Sequence, residues 1–130
     1  MSLRCLLVDD NASFRREMRG LLEEQGLDIV GDAADAAEAL QQISELRPDV
    51  VLIDIDLGGE SGLALAEAVH VGERDSLPRV ILISTHDESD YADLIAASPA
   101  VGFLYKTELS AAEIRRVLGV AEGSEAGETS

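Results

Sequence analysis

Basic residues are scarce in this chain of 130: ten Lys and Arg stand against 26 Asp and Glu, a formal charge of −16. Such a surface repels phosphate backbones, which argues against direct nucleic-acid binding by this chain and favours basic or metal partners. Cysteine is nearly absent too. With Cys5 alone no internal disulfide can form, and its neighbours Leu3, Leu6 and Leu7 make it read as a small buried hydrophobe rather than a reactive thiol. Met1 runs straight into a strand-like segment with no secretory leader, so a reducing cytoplasm is the expected setting. No apolar run approaches the roughly 18 residues of a membrane span. Internal repeats and a second domain are also missing, and the length fits one domain with a real core.

What is present is a regular alternation. Five apolar runs, LRCLLV (3–8), LDIVGDA (27–33), VVLIDI (50–55), RVILIS (79–84) and VGFLY (101–105), read as strands. Between them apolar residues recur with helical spacing: Phe14, Met18, Leu21 and Leu22; Ala36, Ala39, Leu40, Ile43 and Leu46; and, more weakly, Leu65, Ala66 and Val69, then Tyr91, Leu94 and Ile95. Ser110 and Glu113 have capping-box spacing ahead of Ile114, Val117 and Leu118. Strands separated by helices of this length join by right-handed crossovers into a parallel sheet covered on both faces. The expectation is a doubly wound α/β domain of (βα)5 form over residues 1–121. Residues 122–130 (EGSEAGETS) lack apolar content and read as a disordered tail or truncated linker.

VVLID poses the chemical question. A strand buried on both faces should not end in a carboxylate, which is costly to desolvate without a partner. In open parallel sheets, ligands sit beyond the C-terminal ends of the strands. There strand one ends in Asp9 and Asp10, strand three in Asp54, strand four in Ser84 and Thr85, and strand five is followed by Lys106. Singly each has an ordinary role as cap, turn or solvated charge; jointly they form one chemical set at one edge. Packed carboxylates repel one another unless a cation joins them, and hard oxygen ligands suit Mg²⁺ or Mn²⁺. With Lys106 beside it, such a metal site could neutralise a phosphoryl group delivered to a carboxylate acting as nucleophile.

These residues resemble the receiver domain of two-component response regulators, over roughly positions 3 to 120. LLVDDN is similar to the family's first strand with its acid pair, VVLIDIDLGGESG to the segment bearing the phosphoacceptor, VILIST to the strand ending in the hydroxyl residue, and GFLYK to the strand ending in the lysine. The resemblance implies a flavodoxin-like strand order 2-1-3-4-5 and a bacterial signalling protein rather than an enzyme. Asp54 would be the phosphoacceptor, receiving its phosphoryl group from a sensor histidine kinase or phosphotransfer protein with Mg²⁺ (or Mn²⁺) as cofactor. The metal would be held by Asp10, Asp54 and the backbone carbonyl of Asp56, with Asp9 acting through water. Ser84 and Lys106 would contact the phosphoryl group, and Ser84 with Phe103 would form the switch that alters a helix-four, strand-five and helix-five face, from about Asp87 to Val120, where a homodimer or effector docks. Asp56 and His86 would tune phosphoryl lifetime.

Three positions depart from the family's commonest pattern. Leu57-Gly58 replaces Met-Pro, which predicts a less rigid loop. Thr107 replaces the proline after the lysine, and since a cis bond before a non-proline costs roughly 3 kcal/mol, a trans bond is expected. The switch aromatic, Phe103, lacks a phenol hydroxyl. Two other readings fit less of the chain. A phosphorylation-independent pseudo-receiver would not need all five chemical positions filled. A haloacid-dehalogenase-like phosphatase would explain Asp54-Ile55-Asp56 but needs its further metal acids downstream of the lysine, and nothing after Lys106 resembles a strand-end acid pair. KTELSAAEI resembles the segment following the lysine in receivers fused to helix-turn-helix domains.

Overall fold

The computed structural model describes residues 3–72, 78–85 and 92–119. Along it run β1 (Arg4–Val8), α1 (Ala12–Glu24), β2 (Asp28–Ala33), α2 (Ala36–Leu46), β3 (Val50–Asp54), α3 (Gly62–Gly72), β4 (Arg79–Ser84), α4 (Ala92–Ala97), β5 (Gly102–Tyr105) and α5 (Ala111–Leu118). The strands pair in parallel in the order β2-β1-β3-β4-β5, the flavodoxin-like arrangement the resemblance implied. All five strand segments expected from sequence are present, trimmed by a residue at several ends. Tyr91, His86, Asp87, Val120 and the tail at 122–130 lie outside the described residues.

Strand periodicity divides the core in two. Cys5, Leu7, Val50, Leu52, Ile81 and Ile83 face α1 and α5, where Met18, Leu22 and Ile114 meet them. Leu6, Val8, Val51, Ile53 and Leu82 face the other way, onto Ala39 and Ile43 of α2 and Leu65, Ala66 and Val69 of α3. This is why the strands read as continuous apolar runs: alternate side chains have different helices to bury against. Cys5 is fully buried, and burial, foremost, pushes its thiol up to about 12, which makes it a core residue. The helical stripes read too wide in sequence, since Leu21 and Leu40 remain 38% and 40% exposed beside the fully buried positions Leu22 and Ala39. Adjacent helical residues diverge by about 100°, so one of each pair falls off the covered arc.

Polar side chains fix where the helices begin. Asn11 caps α1 by accepting from the Phe14 N–H at 3.1 Å, and Asp35 caps α2 by accepting from Glu38 at 2.8 Å. Ser110 caps α5 through the Glu113 N–H at 3.1 Å. The Glu113 carboxylate is engaged by Arg116 at 2.6 Å. Gly119, at φ 76°, takes the left-handed turn that ends α5, a conformation glycine adopts without penalty.

Candidate functional site

β1 and β3 are neighbours in register, Val8 beside Ile53, so the residues that follow them emerge side by side. Asp9, Asp10 and Asp54 each offer a carboxylate oxygen within 4.8 Å of the others. Asp9 is fully buried, Asp54 is 6% exposed and Asp10 faces solvent. Ser84, 1% exposed, stands one position beyond Ile83, the residue in register with Asp54. From the end of β5, Lys106 reaches back across the edge and brings its Nζ to 2.6 Å from Asp9 Oδ2 and 2.9 Å from Asp54 Oδ2. Asp10, Asn11, Asp54, Asp56, Gly58, Thr85 and Lys106 line an open cleft of about 310 Å³. Of the residues expected at one sheet edge, Asp9, Asp10, Asp54 and Lys106 meet there, while Ser84 ends the neighbouring strand and Thr85 lines the cleft.

The electrostatics are finely opposed. Burial holds the Asp54 carboxyl above the usual carboxylate range, against the hydrogen bond and charge of Lys106 and the Asp56 N–H, which donates to Asp54 Oδ1 at 3.0 Å; the Asp9 charge adds to the rise. For Lys106, burial favours loss of the proton, but the carboxylates of Asp9 and Asp54 outweigh it and the net shift is upward. The lysine is therefore a fixed positive charge. Asp9 Oδ1 accepts from the Asn11 N–H at 2.8 Å, and Asp9 Oδ2 is paired with the Lys106 ammonium at 2.6 Å. Three carboxylates gathered this closely, one of them open to solvent, are a donor set a hard divalent cation fits.

The loop after Asp54 is closed upon itself. Leu57 and Glu60 exchange backbone hydrogen bonds, N–H to O, at 3.0 and 3.4 Å, and the Gly62 N–H donates to the Ile55 carbonyl at 2.8 Å. Gly58 has φ 62° and Gly59 φ 106°, values closed to a proline, whose φ is fixed near −65°. A proline at 58 could not take this conformation, and the Gly58 N–H, which a proline lacks, donates to Asp56 Oδ1 at 3.2 Å. At Gly62 an added Cβ would collide with the backbone carbonyl of Asp54, so the helix start and the acid are packed directly together.

Phe103 on β5 is half-buried against the α2/α3-side cluster and meets Tyr105 edge-on, with centroids 5.1 Å apart at 85°. The described backbone contains no cis peptide, and the chain passes from Lys106 into a short 3-10 turn, Lys106–Glu108, as Thr107 in place of proline predicts. His86 falls outside the described residues. Sequence reasoning missed Phe14 and Arg15. Phe14 reads only as core stripe, yet its ring lies 4.4 Å from Lys106 Nζ. Arg15 carries no motif signal, yet donates to the Asp9 carbonyl at 2.6 Å and pairs with Asp32 at 3.2 Å, tying α1 and β2 to the acid loop. Both contacts join segments remote in sequence or specified only by the fold.

A doubly wound sheet with an acid cluster and a lysine at its C-terminal edge defines the class of CheY-like signalling domains. The response regulator receiver domain family model matches residues 5–118, and the chain belongs to that family. It is 35% identical over 122 residues to the probable transcriptional regulatory protein NarL of Mycobacterium tuberculosis, covering 93% of this chain and 56% of that one. It is 34% identical over 119 residues to protein-glutamate methylesterase/protein-glutamine glutaminase 5 of Myxococcus xanthus, covering 90% of this chain and 34% of that one. The solved receiver domain of the M. tuberculosis NarL superposes with a TM-score of 0.76 at 34% identity, over 91% of this chain and 98% of that chain. The chain spans about a third to a half of the length of the first curated relatives it matches.

Proposed function

We propose that the chain is a phosphoacceptor receiver and not itself an enzyme toward other molecules: a sensor histidine kinase or phosphotransfer protein hands its phosphoryl group to Asp54. The observation that carries this reading is the convergence of Asp9, Asp10 and Asp54 around one point, with Lys106 bridging two of them. An Asp54 carboxylate oxygen attacks phosphorus, the donor's N–P bond breaks, and an acyl phosphate is left on the side chain. Lys106, already at 2.9 Å from Asp54, would pair with the arriving phosphoryl oxygens, and the Ser84 hydroxyl would donate to one. Asp10, Asp54 and the Asp56 carbonyl would hold Mg²⁺ or Mn²⁺, with the buried Asp9 orienting through water. Bound there, the metal supplies neutralisation of the phosphoryl charge.

In this reading residues 1–121 form the receiver and 122–130 a tail or linker. Movement of Ser84 toward the phosphoryl group leaves room beside β4 for Phe103 to turn inward, altering the α4–β5–α5 face for a homodimer or effector. Phe103 has no hydroxyl to satisfy, so the inward position costs it less than it would a tyrosine. Asp56 at the cleft, with His86, would slow hydrolysis. No helix among the described residues is long and apolar enough to cross a membrane, which is compatible with a cytoplasmic bacterial setting. The test is incubation with a small phosphodonor and Mg²⁺, followed by mass spectrometry. One adduct on Asp54, absent from Asp54→Asn, is expected; an adduct persisting on another aspartate in that variant would refute the assignment, and steady turnover of unrelated phosphate esters would point to a phosphatase. A beryllofluoride complex followed by nuclear magnetic resonance tests the switch: shifts confined to the acid cleft and absent at Phe103 would rule it out.

A further inference from the structure

Lys106 is held on three sides, and two of them are the carboxylates of Asp9 and Asp54. The third is the ring of Phe14, 4.4 Å from Nζ to centroid, well within the roughly 6 Å over which an aromatic face attracts a cation. The ammonium is poorly hydrated there, since the Lys106 side chain is only 12% exposed. An ammonium carries three N–H donors and needs a partner on each side when water is excluded. The ring supplies an electron-rich surface on the side the acids do not cover. It cannot be displaced easily: Phe14 is in the first turn of α1, its N–H fixed by Asn11, and its ring packs against the cluster that includes Met18 and Leu22.

We infer that Phe14 is a positioning residue for the phosphoryl transfer proposed above: its ring face holds the Lys106 ammonium over the sheet edge, aimed into the cleft, before any phosphoryl group arrives. The inference rests on that functional reading for its kinetic consequence, but not for the geometry. With the amine already in place, little reorganisation is needed when negative charge develops beside Asp54. Without the ring, the amine would keep its acids yet swing about them, and water would enter on the open side. Side-chain packing at Phe14 serves the core equally well with any apolar filler of the same shape, and this separates the two roles.

The test replaces Phe14 with 4-fluoro-, 3,5-difluoro- and 3,4,5-trifluorophenylalanine, which nearly preserve shape while draining charge from the ring face, and adds Phe14→Leu and Phe14→Tyr. Two quantities are read: the rate of phosphorylation by a small phosphodonor at saturating Mg²⁺, and the order of the Lys106 Cε methylene by ¹³C relaxation in the metal-free protein. Expected are a stepwise fall in rate with fluorine count, ending roughly threefold to tenfold down, a parallel loss of Lys106 order, the same loss in Phe14→Leu, and recovery in Phe14→Tyr. Rate and order that stay flat across the fluorinated series would overturn the inference and leave Phe14 as core filler. If the wild-type chain takes no phosphoryl group, the functional reading fails by itself, and Lys106 order across the series still decides whether the ring positions the amine.

Discussion

At the scale of single residues, Asp54 sets chemistry against stability. Its carboxyl binds a proton more tightly folded than unfolded, chiefly because of burial. The sign follows: the stability this group permits is fully present below its unfolded value near 3.8 and is lost as pH rises through the folded value. Asp54→Asn lacks that loss. In urea unfolding with chelator present, the variant is expected to be more stable than wild type at pH 7, the gap closing as pH falls toward 4; a gap independent of pH would contradict the burial argument. Gly62 is constrained by space rather than charge. Gly62→Ala sets a methyl against the Asp54 carbonyl, and backbone offers no easy retreat, so a loss of about 1–3 kcal/mol is expected by denaturant titration, with altered amide shifts at Asp54 to Asp56. The sequence made Asp9, Asp10, Asp54, Ser84 and Lys106 legible because each ends or follows a strand. It left Phe14, Arg15 and the steric role of Gly62 illegible, because those depend on which atoms of remote segments come to lie side by side.

At the scale of elements, strands were the easiest to read. Every residue of β3 is buried, and full burial on two faces writes an unbroken apolar run into the chain. Helices show as stripes, and the stripes overshoot at Leu21 and Leu40 because an apolar residue at the margin of the arc is tolerated in solvent. The loop from Asp56 to Ser61 shows what the sequence leaves unspecified. Glycine in sequence signals freedom, but Gly58 and Gly59 are used for particular positive φ values in a hydrogen-bonded turn. Start signals were more dependable than interiors: Ser110 does cap α5 as its spacing with Glu113 suggested. Ser110→Ala is expected to cost about 1 kcal/mol and to raise amide exchange first in α5. Equal exchange in the two proteins would mean the cap contributes nothing there.

At the scale of the whole molecule, the charge of −16 and the acid cluster act together on stability. Divalent metal should stabilise the fold in proportion to occupancy, by about 2.7 kcal/mol at a hundredfold excess over Kd. Asp10→Ala removes one repelling charge, so it is expected to raise metal-free stability while flattening the response to Mg²⁺ in thermal melts; an unchanged Mg²⁺ response would sink the coordination proposed. Added NaCl should stabilise the metal-free protein without that saturation, by screening general repulsion. The division of the core by the sheet has a further outcome for how substitutions combine. Ile43 belongs to one cluster and Ile83 and Ile114 to the other, and a void opened on one side cannot be filled by side chains from the other. Ile43→Val and Ile114→Val, each costing about 0.5–1.5 kcal/mol, should therefore sum within roughly 0.5 kcal/mol, whereas Ile83→Val with Ile114→Val should not, since neighbours relax into a shared void. The backbone of the sheet makes the molecule, thermodynamically, two half-independent interiors, and losses accumulate within each interior by different arithmetic than between them.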